Sequence, residues 1–315
     1  MRVSGAVSPD LTGARAIRIR VPATTSNLGP AFDAVGLALQ LYLLVEVRRS
    51  DRAHSSLEFS GEDERLVPRD ETNLIWQAME EMARRHGKKL PSFDARVANQ
   101  IPITKGLGSS AAACLAAAAG ADFLCSLALP REEWLRFATE LEGHPDNAAP
   151  ALYGGLVATI GGETLLCSRA PFPSHWTVVT VTPELELATK KARAVLPAEV
   201  SHSDAVFNVQ RTAFLMSQLI RGRTDGLREA MRDRLHQPYR SPLLPGLEEI
   251  LAMDPRDGLI GLALSGAGST VIALADSNER SIAAQISRIF AGHGLKATER
   301  LLKADNLGLT IEVLN

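Results

Sequence analysis

A short segment rich in glycine and serine, followed directly by a run of alanines, predicts both a helix and a binding site at its start. Residues 102–120 read PITKGLGSSAAACLAAAAG. Alanine is the strongest helix former, so the run predicts a helix from Ser109 to about Leu127. The first amide groups of such a helix have no partner inside it, and the macrodipole adds partial positive charge there. An anion such as a phosphate can therefore bind where Gly106 and Gly108 leave the backbone open.

Three other interpretations fit parts of this segment. Gly106, Gly108 and Ala111 match the G-x-G-x-x-A dinucleotide pattern, but no acidic residue ends a second strand about twenty residues later. A P-loop places its lysine after the glycine, whereas Lys105 precedes it. A serine-capped, alanine-rich helix that binds nothing also fits the segment when it is taken alone.

Hydrophobic patterning predicts an α+β protein. Strands are expected at 17–21, 41–47, 93–98, 156–160, 176–182, on both sides of a glycine turn within 258–276, and at 308–314. Helices are expected at 72–86, 131–143, 188–195, 203–221, 225–235, from about 246, and at 277–292. Because strands and helices do not alternate strictly, we expect two α+β sandwiches with mostly antiparallel sheets.

The segment 169–175, which contains two prolines, predicts a domain boundary. It would separate an N-terminal domain over residues 1–168 from a C-terminal domain over residues 169–315. A cleft between two such domains is the natural place for a binding site.

Composition and charge exclude several functional classes. With 315 residues, 45% of them hydrophobic, and a net charge of −2, the chain resembles a globular protein and has no basic field for a nucleic acid. Its longest apolar run, 111–121, is too short to cross a bilayer, and residues 1–16 lack the apolar stretch of an export signal and read as a loose tail. The three cysteines lack metal-ligand spacing. We therefore expect a cytoplasmic protein that binds neither nucleic acid nor membrane.

Three segments, in this order, are similar to the motifs of the GHMP kinases, the superfamily of galactokinase, homoserine kinase and mevalonate kinase. They are VPATTSNLGPAFDAVGLAL (21–39), PITKGLGSSAA (102–112) and LSGAGST (264–270). The resemblance implies an α+β, two-domain GHMP kinase fold. Its N-terminal domain would be of the ribosomal protein S5 domain 2 type, and its C-terminal domain would be ferredoxin-like.

Three further segments resemble the homoserine kinases in particular. They are EGHPDNAAPALYGG (142–155), ATKKARAVLP (188–197) and QPYRSPLLPG (237–246). The resemblance implies a homodimeric enzyme that transfers phosphate from ATP to L-homoserine, with Mg²⁺ as the cation. It assigns Mg²⁺ to Ser110 and Glu142, which offer the oxygen ligands that a hard cation needs. It assigns ATP to the following residues: Asn73, Pro102, Lys105, Gly106, Leu107, Gly108, Ser109 and Ser110.

Homoserine is a zwitterion with a terminal hydroxyl, so its site needs one anion and at least one cation. Asp33 is expected to receive the ammonium, with Asn27 hydrogen-bonding nearby. Arg193 and Arg240 match arginines that bind homoserine in the family, and a guanidinium fits a carboxylate bidentately. Gly266, in the third motif, completes the expected substrate site.

The identity of a general base is left open by the sequence. Asp146 is the obvious carboxylate, but the position that matches the catalytic aspartate of mevalonate kinases holds Asn147, seven residues before Gly154. An amide cannot take the proton of the substrate hydroxyl. We expect Asn147 to position the substrate hydroxyl, and the catalytic set to comprise Asn147, Asp146, Ser110 and Glu142. His144 and His236 are expected to make structural hydrogen bonds.

Two rival functions remain at this stage. Another GHMP kinase, such as one of the mevalonate kinase type, would use the same phosphate loop but would have no ammonium to bind at Asp33. A catalytically silent sensor would bind nucleotide or substrate, yet it would have no need for the metal pair Ser110 and Glu142.

Overall fold

The computed structural model describes residues 13–254 and 257–314. Residues 1–12 of the predicted N-terminal tail lie outside this part of the chain. The described strands are β1 (Ala16–Ser26), β2 (Val35–Arg49), β3 (Ser56–Gly61), β4 (Phe93–Asn99), β5 (Leu156–Ile160), β6 (Leu166–Ala170), β7 (Thr177–Pro183), β8 (Leu259–Leu264), β9 (Val271–Ala275), β10 (Ala297–Leu302) and β11 (Thr310–Leu314).

The described helices are α1 (Leu74–Arg85), α2 (Ser109–Cys125), α3 (Arg131–Glu142), α4 (Ala148–Tyr153), α5 (Thr189–Ala194), α6 (His202–Arg221), α7 (Leu227–Ala230), α8 (Gln237–Arg240), α9 (Leu247–Leu251) and α10 (Glu279–Gly292). Short 3₁₀ turns cover Glu64–Leu66 and Ser241–Leu243. None of the helices in the described ranges combines the length and apolar character needed to cross a membrane.

Two sheets organise the described residues. The first has the strand order β11-β1-β2-β4-β3, with β5 paired to β2 and β6 paired to β5. The second has the order β10-β7-β9-β8. The pairs are antiparallel apart from β3 with β4, which run parallel. The predicted α+β class with mostly antiparallel sheets is confirmed.

Helix α2 is the centre of the first core, and its alanines explain how it fits there. It contacts β1 and β2 on one side and α1, α3 and α4 on others. Thirteen of its residues are buried, because a helix that is apolar on every side can be covered on every side. Gly120 marks a close approach, since an added Cβ would lie 3.2 Å from the Met79 Sδ. This packing points the N-terminus of α2 toward the second half of the chain.

A second core lies beneath the smaller sheet. Helices α9 and α10 cover it, with the fully buried Leu247, Ile286 and Phe290 packed against strands β7, β8 and β9. Strand β8 is buried at every residue, and it ends at Leu264, where the third glycine-rich segment begins. The rigid strand therefore fixes the position of that segment beside the phosphate loop.

Several sequence predictions need correction. Strand β11 lies within the predicted C-terminal domain, yet it pairs antiparallel with β1 in the first sheet. This pairing joins the two predicted domains, and the domain boundary at residues 168 and 169 stays a prediction. Strands β3, β6 and β10 and helix α4 were not predicted, because short edge strands and a single buried helical turn have too few residues for a clear period.

The predicted helix over 225–235 is also wrong beyond its first turn. Only α7 forms, and the chain then turns back because the Asp233 carboxylate accepts hydrogen bonds from the amides of Leu235, His236 and Gln237, at 2.9, 3.0 and 2.6 Å. A side chain that binds local amides in this way competes with helix continuation. Two of these amides, those of His236 and Gln237, stand at the start of α8, which carries Arg240.

Candidate active site

A cavity of about 360 Å³ lies where the two halves of the chain meet. Its walls come from the loop after β1, the phosphate loop before α2, the segment between α3 and α4, helices α5 and α8, and the turn between β8 and β9. It is lined by these predicted site residues: Asn27, Asp33, Asn73, Lys105, Gly106, Gly108, Ser109, Ser110, Glu142, Asp146, Asn147, Arg193, Arg240 and Gly266. Pro102 and Leu107 do not line it, because both are buried beneath the loop.

The phosphate loop presents the N-terminus of α2 to this cavity. Gly108 is the N-cap residue, at φ +71°, and within the described chain no side chain caps the helix. A Cβ on Gly108 would lie 2.0 Å from the Thr24 Oγ1, so only glycine fits. The first amides of α2 are therefore left for a ligand, as an anion site requires.

The third glycine-rich segment holds the phosphate loop in place. The Ser265 hydroxyl donates to the Gly106 carbonyl at 2.6 Å, and the Thr270 amide donates to the Lys105 carbonyl at 3.0 Å. The Thr24 amide donates to the Leu107 carbonyl at 3.0 Å from the opposite side. Two separate parts of the chain, the first motif and the third glycine-rich segment, thus position the loop before any ligand binds.

Ser110 and Glu142 meet at the edge of the cavity. The Ser110 hydroxyl donates to the Glu142 Oε1 at 2.6 Å. Glu142 ends α3, where the helix dipole disfavours a negative charge, and Gly143 follows at φ +83°. Two adjacent oxygen donors beside the uncapped N-terminus of α2 are the kind of ligand that Mg²⁺ prefers.

Asp33 and Arg193 form an ion pair across the cavity. The Arg193 Nη1 and Nη2 donate to the two carboxylate oxygens of Asp33 at 3.0 and 2.6 Å. Burial is the largest single effect and lowers the pKa of Arg193, but the hydrogen bonds to Asp33 and the charges of Asp33 and Asp146 together outweigh it, so the pKa is raised. The Asp33 amide donates to the Asn27 Oδ1 at 2.9 Å, which fixes the loop backbone.

Arg240 is buried and held by backbone and histidine contacts. Its Nε donates to the Ala192 carbonyl at 3.1 Å, and its Nη1 donates to the Gly266 carbonyl at 3.0 Å and to the His236 Nδ1 at 3.1 Å. The His236 Nε2 in turn donates to the Gly29 carbonyl at 2.7 Å. Burial lowers the pKa of His236, which agrees with a neutral ring that can accept from Arg240.

The guanidinium of Arg240 is a preformed cation. Burial lowers its pKa to about 10, which leaves it charged at neutral pH. Its Nη2 has no hydrogen-bond partner within the described ranges 13–254 and 257–314, and the residue lines the cavity. A ligand carboxylate can use that nitrogen without disturbing the other contacts.

Asn147 is oriented by neighbours on both sides. The Thr24 hydroxyl donates to its Oδ1 at 2.9 Å, and its Nδ2 donates to the Ser26 Oγ at 3.0 Å. Its side chain makes no capping bond to α4, although it occupies the N-cap position. The amide is thus turned into the cavity and away from the local backbone.

Asp146 and His144 complete this wall. The His144 Nδ1 is hydrogen-bonded to the Asp146 Oδ1. Burial alone would lower the pKa of His144, but the hydrogen bond to Asp146 and its charge outweigh it, and the pKa is raised. Ligand atoms of Asp33, His144 and Asp146 lie within 4.8 Å of one another. Arg193 holds both carboxylate oxygens of Asp33, and His144 holds Asp146, so the carboxylates of this group already have partners.

Asn73 uses its side chain locally. Its Oδ1 accepts from the Ile75 amide at 2.8 Å as the cap of α1, and its Nδ2 donates to the Pro68 carbonyl at 2.8 Å. Both polar groups of the side chain are therefore engaged, which leaves its predicted contact with nucleotide untested.

Three cavity-facing or adjacent residues were not singled out from the sequence. Thr24 and Ser26 hold Asn147, and the Phe32 ring lies under both guanidiniums, with its centroid 5.5 Å from the Arg193 Cζ and 5.3 Å from that of Arg240. All three belong to the first motif (21–39), so the resemblance of that motif could have indicated them as site residues. Their contacts, however, are with residues more than a hundred positions away.

Family comparisons agree with this arrangement. The model of the GHMP kinases N terminal domain matches residues 73–155, and the model of the GHMP kinases C terminal domain matches residues 215–292. The first range contains the phosphate loop and the segment around Asn147. The chain therefore belongs to the GHMP kinase family, and the predicted fold class is confirmed.

Similar proteins show which branch of the GHMP kinase family this chain belongs to. The chain is 39% identical to the homoserine kinase of Desulfitobacterium hafniense, covering 94% of this chain and 99% of that protein. It is 42% identical to the homoserine kinase of Solibacter usitatus, covering 88% and 90%. The crystal structure of homoserine kinase from Cytophaga hutchinsonii superposes with a TM-score of 0.82 at 26% identity, covering 96% and 98%. Within the GHMP kinases, the chain belongs with the homoserine kinases.

Proposed function

We propose that this protein is a homoserine kinase that transfers the terminal phosphate of ATP to the hydroxyl of L-homoserine and forms O-phospho-L-homoserine, the step that feeds threonine synthesis. The observation that carries the proposal is one cavity with an uncapped helix N-terminus at one end and Asp33, Arg193 and Arg240 at the other. This pairs a triphosphate site with a site for a small zwitterion.

The phosphate end of the cavity would act by neutralising charge. Phosphoryl transfer depends mainly on positioning and on electrostatic stabilisation of the transferred group. The α2 amides and Lys105 would hold the phosphate oxygens. Ser110 and Glu142 would hold Mg²⁺, which supplies charge neutralisation at the phosphates when it is bound.

The amino-acid end would hold homoserine by its two charges. Asp33 would receive the ammonium beside Asp146, and Arg240 with Arg193 would receive the carboxylate. Asn147 would then position the hydroxyl, because its Oδ1 accepts one bond from Thr24 and keeps a second lone pair for a substrate O–H. The proton would leave to the phosphate or to water.

The role of Asn147 can be separated from that of Asp146 by kinetics. We expect Asn147→Ala to lower kcat by about tenfold or more with a smaller change in the KM for homoserine, because the hydroxyl loses its alignment. Asp146→Asn should retain more activity, since an amide oxygen can still accept from the Asn147 Nδ2 at 3.3 Å. If Asp146→Asn abolished turnover at unchanged homoserine affinity while Asn147→Ala did little, Asp146 would be the base and the assignment would be reversed.

A substrate panel tests the function itself. We expect coupled ADP release with L-homoserine well above that with mevalonate, galactose or shikimate. Asp33→Ala should lower kcat/KM for homoserine by about 30-fold, because the ammonium loses its charged partner. Turnover of mevalonate that ignored Asp33 would favour the mevalonate kinase type, and ATP binding without any turnover would favour a silent sensor.

Three further properties stay proposals, and of these only the homodimer rests on the resemblance, while the other two rest on sequence composition. They are the domain division at residues 168 and 169, a homodimer and a cytoplasmic location. Sedimentation of the purified protein would test the homodimer. If the C-terminal domain were expressed alone, it would lack the strand β1 that β11 pairs with, so we expect limited proteolysis of the whole chain to test the division better.

A further inference from the structure

The ion pair between Asp33 and Arg193 occupies the place where the ligand charges would bind. The two side chains lie 160 positions apart in sequence, on the loop after β1 and on helix α5. Their exposed fractions are 33% and 36%, so a ligand can reach both. Without a ligand, each charge is satisfied by the other.

Separating this pair leaves each charge beside one of the same sign. The Asp33 carboxylate lies within 4.8 Å of ligand atoms of His144 and Asp146. Arg193 and Arg240 contact the same Phe32 ring, and the charge of Arg193 helps to lower the pKa of Arg240 after the larger effect of burial. An unpaired Asp33 would therefore face Asp146 as well as His144, and an unpaired Arg193 would face Arg240 as well as Asp146.

The loop that carries Asp33 cannot simply move away. Asp33 has φ +55° and Asn27 has φ +72°, both in the left-handed region, and the Asn27 Oδ1 accepts from the Asp33 amide. The Asn27 Nδ2 also donates to the Gly266 carbonyl at 3.0 Å, which ties the loop to the second half of the chain. Any exchange of partners must therefore take place at the side chains.

We propose that the Asp33–Arg193 ion pair makes ligand binding conditional on an ammonium and a carboxylate together, so that it selects zwitterions. This inference rests on the proposed function and adds the mechanism of substrate selection. A zwitterion inserted between the two side chains gives Asp33 a cation and Arg193 an anion. A ligand with one charge breaks the same ion pair and leaves one partner unpaired, so the two charges of the substrate support each other in binding.

The test uses two analogues that each lack one charge of homoserine. One is 3-aminopropan-1-ol, without the carboxylate, and the other is 4-hydroxybutanoate, without the ammonium. Their inhibition constants against homoserine are measured for the wild type, Arg193→Gln and Asp33→Asn. The matched control is Lys191→Gln, which removes the same charge from an exposed position on the same helix.

The decisive result is a gain in affinity for the one-charge compounds. In Arg193→Gln, Asp33 is already free, so 3-aminopropan-1-ol should bind about threefold more tightly than to the wild type. In Asp33→Asn, the same gain is expected for 4-hydroxybutanoate. Both variants should bind homoserine about tenfold more weakly, while Lys191→Gln should match the wild type throughout.

If both variants bound all three compounds more weakly than the wild type does, the proposal would be overturned. Two subsites that contribute independently would give that result, because removing one of them cannot strengthen binding at the other. Unchanged KM for ATP and unchanged melting temperature would show that the variants are folded. A wild type that phosphorylates homoserine without these gains would overturn this inference alone. A wild type that does not phosphorylate homoserine would overturn the proposed function as well.

Discussion

Gly106→Ala is expected to lower kcat/KM by about 100-fold or more, because the phosphate loop can no longer dock. The residue has φ +78°, and an added Cβ would lie 2.2 Å from the Ser265 carbonyl oxygen and 2.9 Å from backbone atoms of Gly268. Backbone atoms cannot rotate away as a flexible side chain can. The loop must shift by about 1 Å to restore van der Waals contact, and a shift of that size can cost about 100-fold in rate.

The same shift would break the hydrogen bond from the Ser265 hydroxyl to the Gly106 carbonyl. We therefore expect a rise in the KM for ATP together with a fall in kcat. Steady-state ADP release measures both, and circular dichroism melting measures how much of the variant is folded. Rates are to be expressed per folded protein at a temperature well below the melting transition.

Gly87→Ala is the matched control. Gly87 also has a left-handed φ, at +65°, but an added Cβ would meet no atom within 4 Å. It follows α1 and does not line the cavity. This variant should lose only about 1 kcal/mol of stability from backbone strain and keep wild-type kinetics. If Gly106→Ala stayed within about threefold of the wild type, the docked loop would not be needed for phosphate binding.

Glu142→Gln is expected to lower kcat/KM by about 100-fold at millimolar Mg²⁺ and to move the Mg²⁺ dependence to higher concentration. An amide keeps the size of the side chain and can still accept from the Ser110 hydroxyl, but it removes the negative charge that attracts a divalent cation. Titration of ADP release against Mg²⁺ measures the shift.

Stability should change in the opposite direction to activity. Glu142 ends α3, where its charge opposes the helix dipole, so Glu142→Gln should leave the melting temperature unchanged or raise it by about 2 °C. Glu140→Gln on the same helix is the control, since Glu140 pairs with Arg85 and does not line the cavity. An unaltered Mg²⁺ dependence in Glu142→Gln would rule Glu142 out as a metal ligand.

Local features of the site could be predicted because they depend only on residues that are neighbours in the sequence. The glycine and serine residues before an alanine run report an open helix N-terminus, and the structure has α2 begin at Ser109 behind an uncapped Gly108. The position of Glu142 at a helix end was likewise visible in sequence. Such signals depend on backbone propensity and helix geometry, which act over a few residues.

Contacts between distant segments could not be predicted. The pairing of Asp33 with Arg193, the bond from Thr24 to Asn147 and the placement of β11 beside β1 each join residues more than a hundred positions apart. The hydrophobic periodicity of the sequence does not indicate these contacts, because they depend on how the two cores pack together. Short elements such as β3 were missed for a related reason, since their stability comes from neighbouring strands.

Local propensity and side-chain chemistry are enough to predict the α+β class, the phosphate loop at the start of α2, and the residue types that a zwitterion and a metal ion require. The folded chain was needed to show that Asp33 and Arg193 neutralise each other and that Arg240 keeps one nitrogen for a ligand among the described residues. A charge that is partly or fully shielded from water needs a partner, and the packing of the two halves determines which partner is within reach.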